Sequence, residues 1–296
     1  MIPAQPRLAR LLRFSLTTGN IGRLALFYQQ AFDCLTLTAQ HVSGPEFHSL
    51  MGVPGGAQRL TLRLGHELIE LLQFDHPGEP YPRGTAGSDL LFQHFAIVVA
   101  DMDRAVECLA HVKGWSAISL AGPQRLPAQS GGVSAFKFRD PDGHPLELLA
   151  FPPDAVPPAW QPIESEALFL GVDHSAISVA QSARSIAFYE RLGLEVTART
   201  LNEGPEQARL DAVAEPRVEV TAMRPAQGVA HLELLCYGGL AERAPVALRN
   251  NDVAASRLIF ETTHPMASVA GASFHRGLLD PDGHHLLLVS PAAQNG

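Results

Sequence analysis

The stretch FRDPDGHPLELL at 138–149 returns almost unchanged as LLDPDGHHLLLV at 278–289. In both copies an Asp-Gly pair stands between two apolar runs, and glycine readily takes the positive φ that a tight turn needs. Each copy therefore predicts a β-hairpin whose second strand begins at the histidine. A repeat of this kind has to be traced before single elements are assigned, because it decides the fold.

The second strand of this hairpin has two further relatives. HELIELLQF at 66–74 and AHLELLCY at 230–237 share its core of Leu or Ile, Glu and two Leu. A common beginning, with an apolar run, a polar break and a segment of helical spacing, precedes three of the four endings. These beginnings occupy 10–32, 92–115 and 171–194. The chain therefore contains four copies of one module, and the fourth is shortened by about a helix.

Each module predicts a strand, a helix and then strands, which makes the chain an α+β protein of tandem βαβββ modules. Asp101 is placed to cap the helix of the second module and Gly114 to end it. The stretch 152–167 has five prolines and no hydrophobic periodicity, so we expect it to link two halves. Residues 1–151 would form one domain from modules one and two, and residues 168–296 a second from modules three and four.

Two columns of polar residues stand on otherwise apolar strands when the modules are aligned. The first-strand column holds Arg13, His94, His174 and Arg257, and the last-strand column holds Glu70, Glu147, Glu233 and Leu287. The spacing supports this alignment, because Glu70 precedes His94 by the same 24 residues that separate Glu233 from Arg257. A buried carboxylate needs a partner, and imidazole with carboxylate is a common ligand set for divalent metals. We therefore expect metal ligands or ion pairs at these positions.

These motifs resemble those of the vicinal oxygen chelate superfamily, which includes glyoxalase I, extradiol dioxygenases, fosfomycin-resistance enzymes, methylmalonyl-CoA epimerase and bleomycin-binding proteins. The resemblance covers nearly the whole chain and is most specific in FQHFAIVVADMDRA, AFKFRDPDGHPLELLAF, VDHSAISVAQSARSIAFYERLGL and GLLDPDGHHLLLV. It implies that paired modules form half-open barrels around a divalent metal. In that family the first and last strands of both modules supply the ligands, and the metal chelates two neighbouring substrate oxygens.

Carried over to this sequence, the resemblance gives the N-terminal half three metal ligands, Glu70, His94 and Glu147. Arg13 stands where a fourth ligand would be. Because a guanidinium stays protonated and cannot bind a metal, we expect Arg13 to contact an anionic substrate oxygen or to pair with Glu70. Glu147 or Glu70 would be the catalytic base.

The C-terminal half keeps two candidate ligands, His174 and Glu233, because Arg257 and Leu287 occupy the other two positions. Two protein ligands rarely hold a metal, so this is the weaker, second site, and a hydrogen-bonded or salt-bridged pair is the main expectation for it. We therefore place the active site in residues 1–151 and expect the second domain to be structural or to shape the substrate pocket.

The function that this implies is a metal-dependent lyase or isomerase, like glyoxalase I or an epimerase, that removes a proton next to a carbonyl of a small oxygenated substrate. The cofactor would be a divalent ion: Zn, Ni, Mn, Co or Fe. An extradiol dioxygenase is the first alternative, although its iron normally uses the positions that here hold His174, Arg257 and Leu287. A metal-free binding protein of the bleomycin-resistance type is the second.

The composition limits these hypotheses. The chain has 296 residues, 46% hydrophobic and 18% charged, with a net charge of −8, so we expect a folded protein without a nucleic-acid surface. Three widely spaced cysteines are typical of a reducing compartment, here the cytoplasm. No apolar stretch is long enough for a membrane span. We expect a small-molecule substrate as partner, and a monomer or a homodimer.

Overall fold

The computed structural model describes residues 6–161, 166–238, 247–265 and 275–291. Within them the chain is a mixed α+β protein with five α-helices and two open sheets, one of seven strands and one of nine. The expected α+β fold class is confirmed, and neither sheet closes into a barrel. None of these helices is long and apolar enough to cross a membrane.

The first two modules lie one after the other in the chain. The first comprises β1 (Leu8–Thr17), α1 (Ile21–Phe32), β2 (Leu35–Val42), α2 (Pro45–Met51), β3 (Ala57–Leu64) and β4 (Glu67–Phe74). The second comprises β5 (Gln93–Val99), α3 (Met102–Ala110), β6 (Ser116–Ala117), β7 (Gln124–Arg125), β8 (Ser134–Arg139) and β9 (Pro145–Ala150). Two short strands, β6 and β7, therefore take the place of one long second strand in the second module.

The third module repeats the first, including its short second helix. It comprises β10 (Phe169–Ser178), α4 (Ser182–Arg191), β11 (Glu195–Glu203), α5 (Pro205–Asp211), β12 (Arg217–Arg224) and β13 (His231–Tyr237). The described part of the fourth module holds three strands and no helix, which agrees with its shortened sequence. These strands are β14 (Arg257–Thr262), β15 (His275–Leu279) and β16 (His285–Val289).

The modules do not pair in chain order. The seven-stranded sheet has the order β15-β16-β14-β1-β4-β3-β2, and the nine-stranded sheet has the order β11-β12-β13-β10-β5-β9-β8-β6, with β7 on β8. The first module therefore shares a sheet with the fourth, and the second with the third. This differs from the expected pairing within 1–151 and within 168–296. The cause is the antiparallel pairing of first strands, β1 with β14 and β5 with β10, since each strand carries the rest of its module with it.

The strand registers reproduce the columns inferred from the sequence. In each module, one residue of the first strand follows the first-strand column by two positions. On one side it pairs with the last-strand column of its own module, and on the other side with the first-strand column of the partner module. These are Ser15 with Glu70 and Arg257, Ala96 with Glu147 and His174, Ala176 with Glu233 and His94, and Ile259 with Leu287 and Arg13. Each sheet is therefore symmetric about its central antiparallel pair, and equivalent positions can be compared one by one.

Alternation along β5 separates the core from the site. Phe95, Ile97 and Val99 belong to the largest apolar cluster, which contains residues of both sheets, and the Phe95 ring lies 5.2 Å from that of Phe14 on β1. Because successive side chains of a strand point to opposite faces, His94 and Ala96 lie on the other face of β5. We call this the site face of the nine-stranded sheet.

Local capping agrees with the sequence at the start of α3. Asp101 Oδ1 accepts a hydrogen bond from the backbone N–H of Arg104 at 3.0 Å, as expected for an N-cap. The helix ends earlier than predicted, at Ala110, and Gly114 takes a φ of +100° in the loop beyond it.

Candidate functional site

His94 and Glu147 lie beside each other on the site face. Strand β5 runs parallel to β9, with Ala96 opposite Glu147, and this register brings the two side chains together. His94 Nε2 lies 3.1 Å from Glu147 Oε2, and the side chains are only 2% and 8% exposed. The structure thus brings together two of the three residues that the sequence assigned to one metal site.

His174 and Glu233 join this pair from the third module. The ring of His174 lies 5.9 Å from the ring of His94, and one donor atom each from His94, Glu147 and His174 all fall within 4.8 Å of one another. His174 Nε2 lies 3.5 Å from Glu233 Oε2. The two sites that we expected in separate halves of the chain are therefore a single cluster across β5 and β10.

Asp173 and Trp160 hold His174 in place, and neither belongs to the columns that the sequence repeat marks. Asp173 Oδ2 lies 3.1 Å from His174 Nδ1, and Trp160 Nε1 donates to Asp173 Oδ1 at 3.0 Å. A carboxylate that accepts from one imidazole nitrogen leaves the other free for a ligand, here Nε2 on the side of Glu233. Asp173 could have been noticed because it precedes a column histidine. Trp160, in the proline-rich stretch, carries no such signal.

His231 is a third imidazole in this group. It lies two residues before Glu233 on β13 and therefore on the same face. Its Nε2 is 3.6 Å from Glu233 Oε1, its Nδ1 is 3.8 Å from Asp173 Oδ2, and its ring lies 5.4 Å from that of His174. Its position two residues before a column glutamate was the available signal.

Lys137 brings an ammonium into the same cluster. Strand β8 places Lys137 opposite Glu147, and its Nζ lies 3.8 Å from Glu147 Oε2. Its nearer partner is Asp211 at the end of α5, whose Oδ1 is 2.7 Å away. Asp211 Oδ2 accepts hydrogen bonds from Gln207 and Tyr237 at 2.7 and 3.0 Å. The lysine and its partners were also missed, because nothing in the repeat marks them.

Charges within the cluster determine the protonation of Glu147 and its neighbours. Burial alone would raise the pKa of Glu147, but the Lys137 ammonium and the imidazoles of His94 and His174 outweigh it and lower this pKa to about 2. Burial lowers the pKa of His94, helped by the charge of Lys137. Burial opposes the charge on Lys137 too, yet the carboxylates of Asp211 and Glu147 raise its pKa. Glu147 and Lys137 are therefore ionised at neutral pH, and His94 is neutral.

The residues around His174 form a second balanced group. Burial opposes its charge, but the carboxylates of Glu233 and Asp173 outweigh burial and raise the pKa of His174 to about 9. Burial alone would raise the pKa of each of the two carboxylates, but the imidazoles of His174 and His231 outweigh it. They lower the pKa of Asp173 to about 2 and also lower the pKa of Glu233.

The donor set fits a divalent cation. Four carboxylates, those of Glu147, Asp173, Asp211 and Glu233, lie with two cationic groups, Lys137 and His174, which leaves negative charge in excess. Both ring nitrogens of His94 are buried without a hydrogen-bond partner, because the approach of Glu147 is close but poorly aligned. Two imidazoles and two carboxylates are suitable ligands for Zn, Mn, Fe, Ni or Co.

Glu70 and Arg13 lie in the seven-stranded sheet, apart from His94. Arg13 Nη1 lies 3.4 Å from Glu70 Oε2, and Ser15 Oγ donates to Glu70 Oε1 at 2.9 Å. The expected set of Glu70, His94 and Glu147 is therefore divided between two sheets, and Glu70 has the arginine partner that we considered. Arg257 occupies the position that His174 holds in the other sheet.

The comparisons with known proteins support the fold expected from the resemblance, that of the vicinal oxygen chelate superfamily. Glyoxalase I from Zea mays superposes with a TM-score of 0.61 over 95% of this chain and 92% of its own, at 18% identity. A protein described as a "putative dioxygenase" from Bacillus subtilis subsp. subtilis str. 168 superposes with a TM-score of 0.57 over 96% and 86%, at 11% identity. No family model and no curated protein matches the sequence. At these identities the likeness shows the fold alone.

Proposed function

We propose that this chain is a divalent-metal-dependent enzyme that removes a proton next to a carbonyl of a small oxygenated substrate, as glyoxalase I- or epimerase-type enzymes do. The observation that carries the proposal is the convergence of His94, Glu147, His174 and Glu233 from the four equivalent positions of one sheet. The same four positions of the other sheet hold two arginines, a glutamate and a leucine.

In this proposal His94, Glu147, His174 and Glu233 are the residues that would hold the metal. A bound divalent ion would polarise a substrate carbonyl and stabilise negative charge that develops on its oxygen. The chain supplies the rest of the arrangement. Asp173 fixes the imidazole of His174, and the nearly complete burial of His94 and Glu147 keeps bulk water from the centre.

We assign the proton transfer to Glu233, which would then be both a metal ligand and the base, rather than to Glu147 or Glu70. The side chain of Glu233 is 22% exposed against 8% for Glu147, so a substrate that enters from solvent meets Glu233 first. Glu147 is held between His94 and Lys137, whereas Glu233 has imidazoles on both sides. Glu233 Oε1, the oxygen that would take the proton, lies 3.6 Å from His231 Nε2.

The test compares one substitution at the equivalent position of each sheet. In Glu147→Gln we expect the affinity for zinc to fall by at least about tenfold, because a charged ligand is lost, whereas Glu70→Gln keeps the affinity of the wild type. Calorimetric titration of the chelator-treated variants with zinc measures both affinities. A chelator should also lower the melting temperature of the wild type, since a bound ion stabilises the folded state.

Two results would contradict this proposal. One is a purified wild type that takes up no stoichiometric divalent metal and melts at the same temperature in chelator. The other is an equal loss of zinc affinity in the Glu147 and Glu70 variants, which would indicate a general effect of the substitution. The first result would favour the metal-free binding protein that the sequence also allows.

One observation favours a dioxygenase as the second candidate function. Among the described residues, two groups of three have donor atoms within 4.8 Å of one another: His94, His174 and Glu147, and His174, His231 and Asp173. Each group has two histidines and one carboxylate. This is the 2-His-1-carboxylate set typical of non-haem iron oxygenases. Oxygen uptake by the Fe(II)-loaded protein in the presence of catechol, absent from His174→Ala, would support this function over proton abstraction.

A further inference from the structure

We propose that the substrate carries a carboxylate, that Lys137 binds this carboxylate, and that Asp211 of α5 occupies its place in the closed protein. The inference deepens the proposed function and rests on it, because it concerns the same centre on the nine-stranded sheet. It names the chemical class of the substrate and a residue that contacts it.

Lys137 is an exception to the repeat. In each module the last strand pairs with the strand before it, as in β3–β4, β8–β9, β12–β13 and β15–β16. This pairing places one residue opposite the last-strand column. These residues are Thr61, Lys137, Ala222 and Gly277. The other three modules form the same strands with small uncharged residues, so the fold does not require a lysine here. The ammonium nonetheless lies 3.8 Å from Glu147 Oε2, with 5% of the side chain exposed.

Asp211 is a second exception, and it meets the first. The short helices α2 and α5 have the same length and the same Pro-Glu start, and they occupy equivalent places in their modules. The last residue of α2 is Met51, which lies in an apolar cluster on the seven-stranded sheet. The last residue of α5 is Asp211, whose carboxylate lies 2.7 Å from Lys137 Nζ. The two residues that differ from the repeat, Lys137 and Asp211, thus form one ion pair beside Glu147.

Helix α5 closes the site from the side of the second module. The backbone N–H of Leu120 donates to the carbonyl of Arg209, and Ser119 Oγ donates to the carbonyl of Leu210. Leu210 is buried with Ala96 and Leu149 of the site face. A substrate group that binds Lys137 Nζ in place of Asp211 therefore requires α5 to move. Such a movement separates Asp211 from Lys137, because Asp211 belongs to the helix.

This exchange favours an anionic substrate. A buried ammonium left without a partner is costly, while replacement of one carboxylate by another keeps it paired. A substrate carboxylate can therefore take over Lys137 when α5 moves away, at little electrostatic cost. A neutral substrate would leave Lys137 with only the more distant carboxylate of Glu147, next to the bound metal, whose positive charge repels it.

The experiment compares two small probes that differ in charge. Glycolate carries a carboxylate beside a hydroxyl, and glycolamide carries a neutral amide in its place. We expect the zinc-loaded wild type to bind glycolate at least about tenfold more tightly, as a charge-assisted hydrogen bond to Lys137 predicts. Calorimetric titration of the full-length zinc-loaded protein measures both affinities.

Two variants separate a binding role from a structural one. Lys137→Thr with Asp211→Met installs the residues of the first module, Thr61 and Met51, so that no unpaired charge stays buried. We expect this double variant to keep its zinc affinity and to lose the preference for glycolate. Asp211→Asn removes the competing carboxylate and should tighten glycolate binding, whereas a purely structural ion pair would give weaker binding.

The outcomes distinguish this inference from the proposed function. A wild type that does not bind zinc overturns both. A zinc-loaded wild type that binds glycolate and glycolamide equally overturns only the inference, as does a double variant that keeps the preference. Weaker glycolate binding by Asp211→Asn, with zinc affinity unchanged, would also show that Asp211 does not hold the place of the substrate.

Discussion

Arg257 is the largest fully buried side chain among the described residues. Its guanidinium donates to Ser15 Oγ, to Thr17 Oγ1 and to the carbonyl of Asn250, at 3.3, 2.7 and 2.8 Å. It stands at the position that His174 occupies in the other sheet, where we propose a bound metal ion. In the seven-stranded sheet the chain supplies the cation itself. Because a guanidinium cannot bind a metal, the proposed metal set has no counterpart at this position of the seven-stranded sheet.

The neighbour of Arg257 on β16, His285, gives a prediction at the residue scale. Burial, the charge of Arg257 and then that of His284 lower the pKa of His285 to about 4, against the weaker opposite effects of the Leu248 backbone and Asp280. The unfolded chain therefore takes up a proton before the folded one as the pH falls. The stability that neutral His285 provides is complete above about pH 6.5 and is lost between about pH 6.5 and pH 4.

We expect the wild type to lose up to about 3 kcal/mol through His285 across this range, and His285→Gln to lack this part of the decline. Urea unfolding at pH 7, 5.5 and 4.5 measures the difference. The exposed His48, replaced in the same way, is the control and should leave the decline unchanged. If the His285 and His48 variants decline in parallel with the wild type, His285 is not held neutral by its surroundings.

At the scale of elements, the hairpin between β3 and β4 packs tightly against β10. Gly65 in its turn has a φ of +56°, and a Cβ atom there would lie 1.9 Å from the carbonyl oxygen of Leu170. Gly65 belongs to the seven-stranded sheet and Leu170 to the nine-stranded one, so this turn is a point of contact between the two sheets. A backbone carbonyl cannot rotate away as a side chain can.

Gly65→Ala should therefore destabilise the protein by about 2 kcal/mol or more, which lowers the melting temperature by several degrees. Gly84→Ala is the matched control, because Gly84 has a similar φ of +71° but nothing within 4 Å of the added Cβ. We expect the control to show only the smaller cost of the left-handed conformation. Equal melting temperatures of the two variants would mean that the hairpin does not rest on Leu170.

The sequence predicted some elements well and others not at all. The Leu-Glu-Leu-Leu endings became β4, β9 and β13 because alternation and a strong apolar run agree there. Helices α2 and α5 were missed because seven residues make only two turns, too few to show a helical period. Asp211, the last residue of α5, could not be predicted either. Its ion pair with Lys137 depends on how this short helix of the third module packs against the second module.

At the scale of the whole molecule, the partners of the modules could not be predicted. The two columns of polar residues could be predicted because each position repeats along the chain. The register between the first and last strands is the same in all four modules and agrees with these columns. The first strands β1, β5, β10 and β14 resemble one another, so nothing in their sequences selects one antiparallel partner over another. The choice of partner decides the site, because His94 meets His174 only if the second module pairs with the third.

The pairing makes a prediction about fragments of the chain. Residues 1–151 and 152–296 each contain half of both sheets, so neither fragment keeps the antiparallel partner of its first strands. We expect each fragment alone to lack a cooperative unfolding transition in urea, and an equimolar mixture to recover one together with zinc binding. Circular dichroism follows the unfolding transition, and sedimentation measures whether the fragments associate. A monomeric 1–151 fragment that unfolds cooperatively would show that the first two modules are stable without the others.

The pairing of the outer modules also orders events during synthesis of the chain. The nine-stranded sheet is complete in sequence once β13 has left the ribosome, because β5 to β13 are contiguous. Strand β1 must wait for β14, which is 242 residues away at the pairing of Ser15 with Arg257. Until then an edge of the first module stays open to other chains, and such an edge favours aggregation. The nine-stranded sheet can therefore form first on the ribosome, and the seven-stranded sheet is completed last.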